Sequence, residues 1–296
     1  MKKLFPFVPL LLLLCGCTDM SSIKNKHLNV SYANDSKAQQ MDIFIPDGDG
    51  PSPTVILIHG GGFKTGDKKS ENDLAKALVS NGFVAIAVNY RLSGEAVFPA
   101  AVHDVKAAIR FIRANAKKYV VDPDKIATWG ASAGGHLSAM MGTSAGDGFL
   151  DGIVGDHNNE SAQIQACINW FGPINFATMI DDARQLGFDD RFNVTIESAY
   201  LGADATDPIN MALVQRSNPT NYIDETDPPF YVQAGSKDPL IPYLQSQNFA
   251  DTLRKVLGDG KVNYELIENA KHGGSKFTDQ ENVAKIISFL DKHLKK

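Results

Sequence analysis

Residues 128–137 read TWGASAGGHL, with Ser132 inside Gly130-Ala131-Ser132-Ala133-Gly134. An apolar strand-like run ends at Gly130 and a helical pattern starts near Ala133. A strand-to-helix turn that sharp needs small residues two positions either side of the serine. Such a Gly-x-Ser-x-Gly turn holds a hydroxyl strained and exposed at a helix N-terminus. The motif alone is common in loops, where a tight turn merely contains a serine. Its flanking strand and helix are what make Ser132 a candidate nucleophile.

A serine hydroxyl needs a base, and the chain has 7 histidines. His272 has the best setting, in NAKHGG, a loop between the last strand-like run and the C-terminal helix. His103 and His136 fall on helical stretches, His157 in an Asp/Gly/Asn-rich loop, and His27 and His293 near the ends. The base needs an acid to fix its tautomer. Asp238 lies in AGSKDPLIP directly after a strand-like run, although Lys-Asp-Pro is also good turn chemistry. Asp224 and Asp227 precede that strand and are weaker rivals. The chain order Ser132, Asp238, His272 differs from the orders of chymotrypsin and subtilisin.

Acyl transfer also requires donors for the developing oxyanion. IHGGGF places Gly60, Gly61 and Gly62 after the first long apolar strand. Glycines let backbone N–H groups approach a ligand without interference from Cβ. Gly61 and Gly62 are the expected donors, with the Ala133 amide as the third. A phosphate cradle is the competing use of such a loop. Neither G-x-x-x-x-G-K-[ST] nor G-x-G-x-x-G occurs, which argues against a nucleotide site. His59 then positions the loop rather than transferring protons.

Those residues must be held by a frame, and the hydrophobic pattern supplies one. Residues 28–33 and 39–46 alternate like strands around a turn at Asn34-Asp35-Ser36. Continuous apolar runs follow at 54–60, 83–90, 125–130, 165–172, 228–235 and 262–268. Continuity rather than alternation argues for strands covered on both faces, as in parallel sheets. Helical spacing alternates with them, at about 70–81, 99–119, 133–142, 243–257 and 279–294. This predicts an α/β fold with a mostly parallel, doubly wound sheet and an antiparallel N-terminal strand pair. From Pro173 to Thr226 no sheet run appears. That stretch reads as a helical, lid-like insertion over the C-terminal edge of the sheet, where ligands bind in such folds. Its Phe176, Met179, Ile180, Leu186, Phe188, Phe192 and Tyr200 are expected to wall a pocket.

The 296 residues carry 43% hydrophobic and 21% charged side chains and a net charge of −5. This is an ordinary globular mixture, with no basic run to suggest nucleic acid. Residues 1–16 read as an export leader: Met1-Lys2-Lys3, then an apolar run to Leu14 too short to span a bilayer. Leu14-Cys15-Gly16-Cys17 resembles a bacterial lipobox, which implies cleavage before Cys17, lipidation of its thiol and a membrane anchor. Cys15 is the other possible site, and ordinary signal cleavage is the alternative. Residues 17–26 then form a polar tether and 27–296 the domain. Cys167, in an apolar run, reads as a buried small hydrophobe. No cofactor is called for. No metal is either, because the acids of GDGFLDGIVGDHNNE do not fall at calcium-loop spacing.

Together HGGGF, NYRLS, FPAAVHDVKAAIRFIRANA, DPDKIATWGASAGGHL and GSKDPLIP resemble the α/β-hydrolase esterases. The resemblance is nearest to bacterial bifunctional feruloyl and acetyl-xylan esterases and more distant to hormone-sensitive-lipase-like carboxylesterases. It spans about residues 28–294. It implies a Ser132–Asp238–His272 triad and structural roles for Tyr90, Arg91 and Asp104 beneath the site. It further implies acetyl or hydroxycinnamoyl esters of plant polysaccharide fragments as substrates. A short-chain carboxylesterase and a kynurenine-formamidase-like amidase share these motifs. A binding lipoprotein on a hydrolase scaffold is the non-enzymatic alternative, and it has no need of an intact triad and glycine loop.

Overall fold

The structure, a computed structural model, describes residues 20, 23–48, 50–188 and 193–295. The leader at 1–16 and Cys17 lie outside the described residues, as do Asp189, Asp190 and Phe192 of the insertion. The strands are β1 (Lys26–Ser31), β2 (Gln40–Phe44), β3 (Ser52–Ile58), β4 (Val84–Val88), β5 (Val121–Ala131), β6 (Ala166–Trp170), β7 (Phe230–Gly235) and β8 (Val262–Ile267). They form one 8-stranded sheet in the order β1-β2-β4-β3-β5-β6-β7-β8. β1 pairs antiparallel with β2, and β2 with β4; every other pairing is parallel.

The helices are α1 (Asn72–Ser80), α2 (Ala100–Ala114), α3 (Ala133–Thr143), α4 (Gly148–Asp151), α5 (Met179–Gln185), α6 (Thr195–Leu201), α7 (Met211–Arg216), α8 (Tyr243–Leu257), α9 (Ser275–Thr278) and α10 (Gln280–Leu294). Successive strand residues point to opposite faces of the sheet. Val55 and Leu57 of β3 therefore join Leu78 of α1 and Ile286 and Leu290 of α10 in one core layer. Ile56 and Ile58 join Val105 and Ile109 of α2, Leu137 of α3 and Phe249 of α8 in the other. Every residue of β4, β6 and β7 is buried, which is why their sequences lack polar alternation. Trp129 of β5 and Trp170 of β6 meet edge to face at 4.8 Å between centroids.

Two boundaries depart from the sequence pattern. α2 ends at Ala114 rather than near Tyr119. There Asn115 turns its side-chain amide back to the Phe111 carbonyl at 2.8 Å, competing with the next helical turn. Ile23, within the expected tether, is buried against the α1/α10 layer, and Ile45 N–H donates to the Asn25 carbonyl at 3.0 Å. Between β6 and β7 the chain forms α5, α6 and α7 with 3₁₀ turns at Pro208–Asn210 and Pro219–Tyr222, and no strand among the described residues.

Candidate active site

Ser132 occupies the turn between β5 and α3 with φ 55° and ψ −122°, a conformation that costs free energy for any residue with a Cβ. The glycines around it are required by space. A Cβ on Gly130 would sit 2.0 Å from the Gly134 carbonyl oxygen, and one on Gly134 would sit 1.9 Å from that of Ile58. Ser132 N–H donates to the Trp170 carbonyl at 2.9 Å, which ties the turn to the neighbouring strand β6. The N–H groups of the first turn of α3 have no helical acceptor, and that turn begins with Ala133.

The loops after β7 and β8 complete the arrangement. His272 Nε2 lies 2.8 Å from Ser132 Oγ, and His272 Nδ1 lies 2.8 Å from Asp238 Oδ2. Asp238 is buried, at 2% exposure, and its other oxygen accepts from the amides of Leu240 and Ile241 at 2.8 and 3.0 Å. One carboxyl oxygen thus bonds the turn and the other bonds the His272 ring. Asp224 and Asp227 instead bond to each other's loop, the Asp224 N–H donating to Asp227.

The glycine loop runs alongside. A Cβ on Gly60 would come within 3.3 Å of Ser132 Cβ, so the loop flanks the serine directly. Gly61 has φ +114°, and a Cβ there would overlap the Thr65 carbonyl oxygen at 2.1 Å. Among the described residues neither the Gly61 nor the Gly62 N–H donates a hydrogen bond within the chain. His59 is buried at 1% exposure; its Nδ1 bonds the Gly60 carbonyl at 2.8 Å and its ring stacks on Tyr90 at 4.4 Å. The Tyr90 hydroxyl donates to the His59 carbonyl at 2.9 Å. Next to it Arg91 pairs with the fully buried Asp104 at 2.7 Å, and Gln39 Nε2 donates to the same carboxylate at 2.8 Å. A cavity of about 330 Å³ opens behind the loop, between His59, Gly66, Asn89 and Tyr90, and none of Ser132, Asp238 and His272 lines it.

The BD-FAE family model matches residues 41–253, most of the chain. The chain belongs to the BD-FAE family. A curated relative, the probable carboxylic ester hydrolase LipM of Mycobacterium tuberculosis, is 30% identical over 80% of this BD-FAE chain and 54% of LipM. The chain spans about half the length of the curated relatives it matches. Among solved structures, a bifunctional GH43-CE protein of Bacteroides eggerthii superimposes with a TM-score of 0.78 at 34% identity, covering 90% of this chain and 35% of that one. A truncated carbohydrate esterase from gut microbiota gives 0.82 at 28% identity, covering 94% and 99%.

The surroundings of the site include Phe171, which its sequence setting marks as pocket wall or core, and two residues of α6, Ile196 and Glu197, that sequence patterns do not flag. Phe171 meets the His272 ring edge to face at 4.9 Å between centroids. Ile196 of α6 is half exposed, and its Cγ2 would lie 3.1 Å from a Cβ on Gly62. The acid beside it, Glu197, is only 4% exposed. Burial pushes its carboxyl up to about 7, against a weaker opposing pull from its own backbone N–H and from His272. Of the insertion residues expected to wall a pocket, Phe176, Met179 and Tyr200 are instead buried in the core. Tyr200 stacks on Phe63 at 3.9 Å, and Phe176 stacks on His136 at 5.1 Å. Both sequence stretches carried the apolar spacing, but only packing distinguishes a wall from a core. His136 is fully buried with Nδ1 on the Pro173 carbonyl at 2.9 Å, and desolvation lowers it to about 4. Cys167 is a buried free thiol, and burial raises it to about 12. Among the described residues no group of His, Cys, Asp and Glu is arranged to hold a metal ion.

Proposed function

We propose that this protein is a serine carboxylic-ester hydrolase. The observation that carries this reading is the relay Ser132 Oγ–His272 Nε2 and His272 Nδ1–Asp238 Oδ2, each link 2.8 Å. Those separations are the ones required of a nucleophile, its base and the base's orienting acid. With Nδ1–H donating to Asp238, Nε2 is free to accept the Ser132 proton. Ser132 Oγ attacks the ester carbonyl as that proton moves to His272. The Gly61, Gly62 and Ala133 amides stabilise the oxyanion. Collapse breaks the C–O bond, and the departing alcohol takes the proton from His272. Water then repeats the sequence on the acyl-enzyme, releasing acid and restoring Ser132.

The acyl group is acetyl or hydroxycinnamoyl and the alcohol a plant polysaccharide fragment. Support for this comes from the BD-FAE family and from the two structural neighbours, one a bifunctional GH43-CE protein and the other a truncated carbohydrate esterase from gut microbiota. Rates on acetylated xylan, methyl ferulate and p-nitrophenyl acetate test it. Preference for the polysaccharide acetate or the ferulate is expected, and hydrolysis of p-nitrophenyl acetate alone would reduce the reading to a general esterase. The chain is exported and anchored to a membrane by lipid on Cys17, a reading supported by Leu14-Cys15-Gly16-Cys17. Expressed in a lipoprotein-processing bacterium, it gains the mass of acyl chains and sediments with membranes. Cys17→Ser releases it; labelled fatty acid still incorporated into that variant would place the lipid elsewhere, with Cys15 the first suspect.

A further inference from the structure

Gly61, Gly62 and Phe63 follow one another with φ of 114°, 61° and 57°. Glycine adopts such values freely, but a residue with a Cβ enters that region at a cost and stays where its surroundings force it. The surroundings of Phe63 are explicit. Its ring is 1% exposed, stacks on Tyr200 at 3.9 Å and 17°, and meets His136 edge to face at 5.4 Å. His136 belongs to α3, and its N–H donates to the Ser132 carbonyl at 3.0 Å. Phe63 thus packs between the helix that carries the nucleophile and α6 of the insertion.

The amides of Lys64 and Thr65 both donate to the Gly61 carbonyl, at 3.2 and 3.0 Å, and close the glycine turn on itself. What fixes that turn to the rest of the molecule lies at its ends. One end is His59, stacked on Tyr90. The other is Phe63, whose carbonyl accepts from Ser93 N–H at 2.7 Å and whose ring rests on Tyr200. Between them Gly61 and Gly62 have no side chain to anchor. Ile196 and Tyr200, four apart and so on one face of α6, meet the successive loop residues Gly62 and Phe63. The Tyr200 hydroxyl is buried and has no hydrogen-bond partner among the described residues, so what Tyr200 gives the loop comes from its ring. We propose that Tyr200 is a positioning residue that, through Phe63, holds the Gly61 and Gly62 amides where the oxyanion forms. The insertion then helps to build the catalytic scaffold. This rests on the esterase reading above.

The test measures kcat and KM of the full chain on p-nitrophenyl acetate, below the unfolding transition, with melting temperature read on the same samples. A trifluoromethyl ketone supplies a second readout, because Ser132 Oγ adds to its carbonyl and the resulting oxyanion takes the same donors. Tyr200→Leu is expected to lower kcat about 10- to 100-fold, short of the 100- to 1000-fold typical of losing a donor outright. KM should change little, and the ketone's inhibition constant should rise as kcat/KM falls. Tyr200→Phe keeps the stack and deletes only the unpartnered hydroxyl, so it should stay within about twofold of wild type in kcat with a melting temperature no lower. Phe63→Leu removes the same stack from the other side and should reproduce the kcat loss, carrying the comparison even if Tyr200→Leu does not fold. The double variant should then lose little more than the worse single one. Folded Tyr200→Leu or Phe63→Leu with kcat and ketone inhibition within about twofold of wild type overturns the inference and makes the stack mere packing, whatever the melting temperature. A loss in Tyr200→Phe equal to that in Tyr200→Leu also overturns it. Wild-type protein that does not hydrolyse the ester overturns the esterase reading, and this inference with it.

Discussion

Removing one oxygen atom, in Tyr90→Phe, tests how the Gly60–Gly62 loop, which we propose supplies oxyanion donors, is held. The Tyr90 hydroxyl donates to the His59 carbonyl at 2.9 Å, at the base of Gly60–Gly62, and Tyr90 is 1% exposed. Phenylalanine keeps the ring that stacks on His59 at 4.4 Å but leaves that carbonyl without its donor. A buried acceptor stripped of its partner costs about 1–3 kcal/mol. For a chain of this size that lowers the melting temperature by roughly 3–9 °C, since each kcal/mol is worth about 3 °C. The loop then has one tie fewer to hold Gly61 and Gly62 beside Ser132. Removing a donor outright typically costs about 100- to 1000-fold in kcat, so a displaced loop is expected to lose about tenfold. Thermal unfolding and kcat on p-nitrophenyl acetate are measured on the same preparation. A lowered melting temperature with unchanged kcat would refute the argument that this hydrogen bond sets the donors' positions. An unchanged melting temperature would refute the hydrogen bond's contribution itself.

Asp238→Asn keeps an oxygen for the Leu240 and Ile241 amides but presents His272 Nδ1 with a neutral amide. It is expected to leave the melting temperature nearly unchanged while lowering kcat by up to about 10⁴-fold, through the wrong imidazole tautomer. A loss below tenfold would remove Asp238 from the relay. Glu197 gives a pH dependence of definite sign. Its ordinary value of 4.5 is pushed up to about 7 in the folded chain, so between the two the folded state holds a proton that the unfolded state has released. Folding stability therefore falls as pH rises through that window, by about 3 kcal/mol in all. Denaturant unfolding of wild type and Glu197→Gln at pH 4.5 and pH 8 should show the variant gaining by that amount, and parallel curves would count against a buried carboxyl.

Much of this site is legible in the sequence because it depends on local necessity. Gly130 and Gly134 are dictated by carbonyl oxygens within 2.0 Å of where their Cβ atoms would be, and small residues mark such a turn in any sequence. The continuous apolar runs give β4, β6 and β7 because burial on both faces leaves no room for polar alternation. Asp238 and His272 follow from their place after strands. What the sequence hides depends on long-range packing. Ile196 and Glu197 sit in NVTIESAY, where nothing distinguishes an inward acid from a solvated one. Phe176 and Tyr200 look like pocket wall by composition, yet stack on His136 and Phe63 in the core. α2 ends at Ala114, where the Asn115 side chain bonds the Phe111 carbonyl, a local contact that apolar spacing does not register.

The central claim is that Ser132 is the nucleophile, and labelling by a serine-reactive phosphonate ester measures it directly. The phosphorus is attacked by Oγ and expels its alcohol, leaving a stable adduct in place of the acyl-enzyme. Intact mass should rise by one phosphonyl group, peptide mapping should put that group on Ser132, and esterase activity should disappear in step with labelling. Ser132→Ala should take up no label and hydrolyse no p-nitrophenyl acetate above background. A label on another residue, or full activity in Ser132→Ala, would contradict the account.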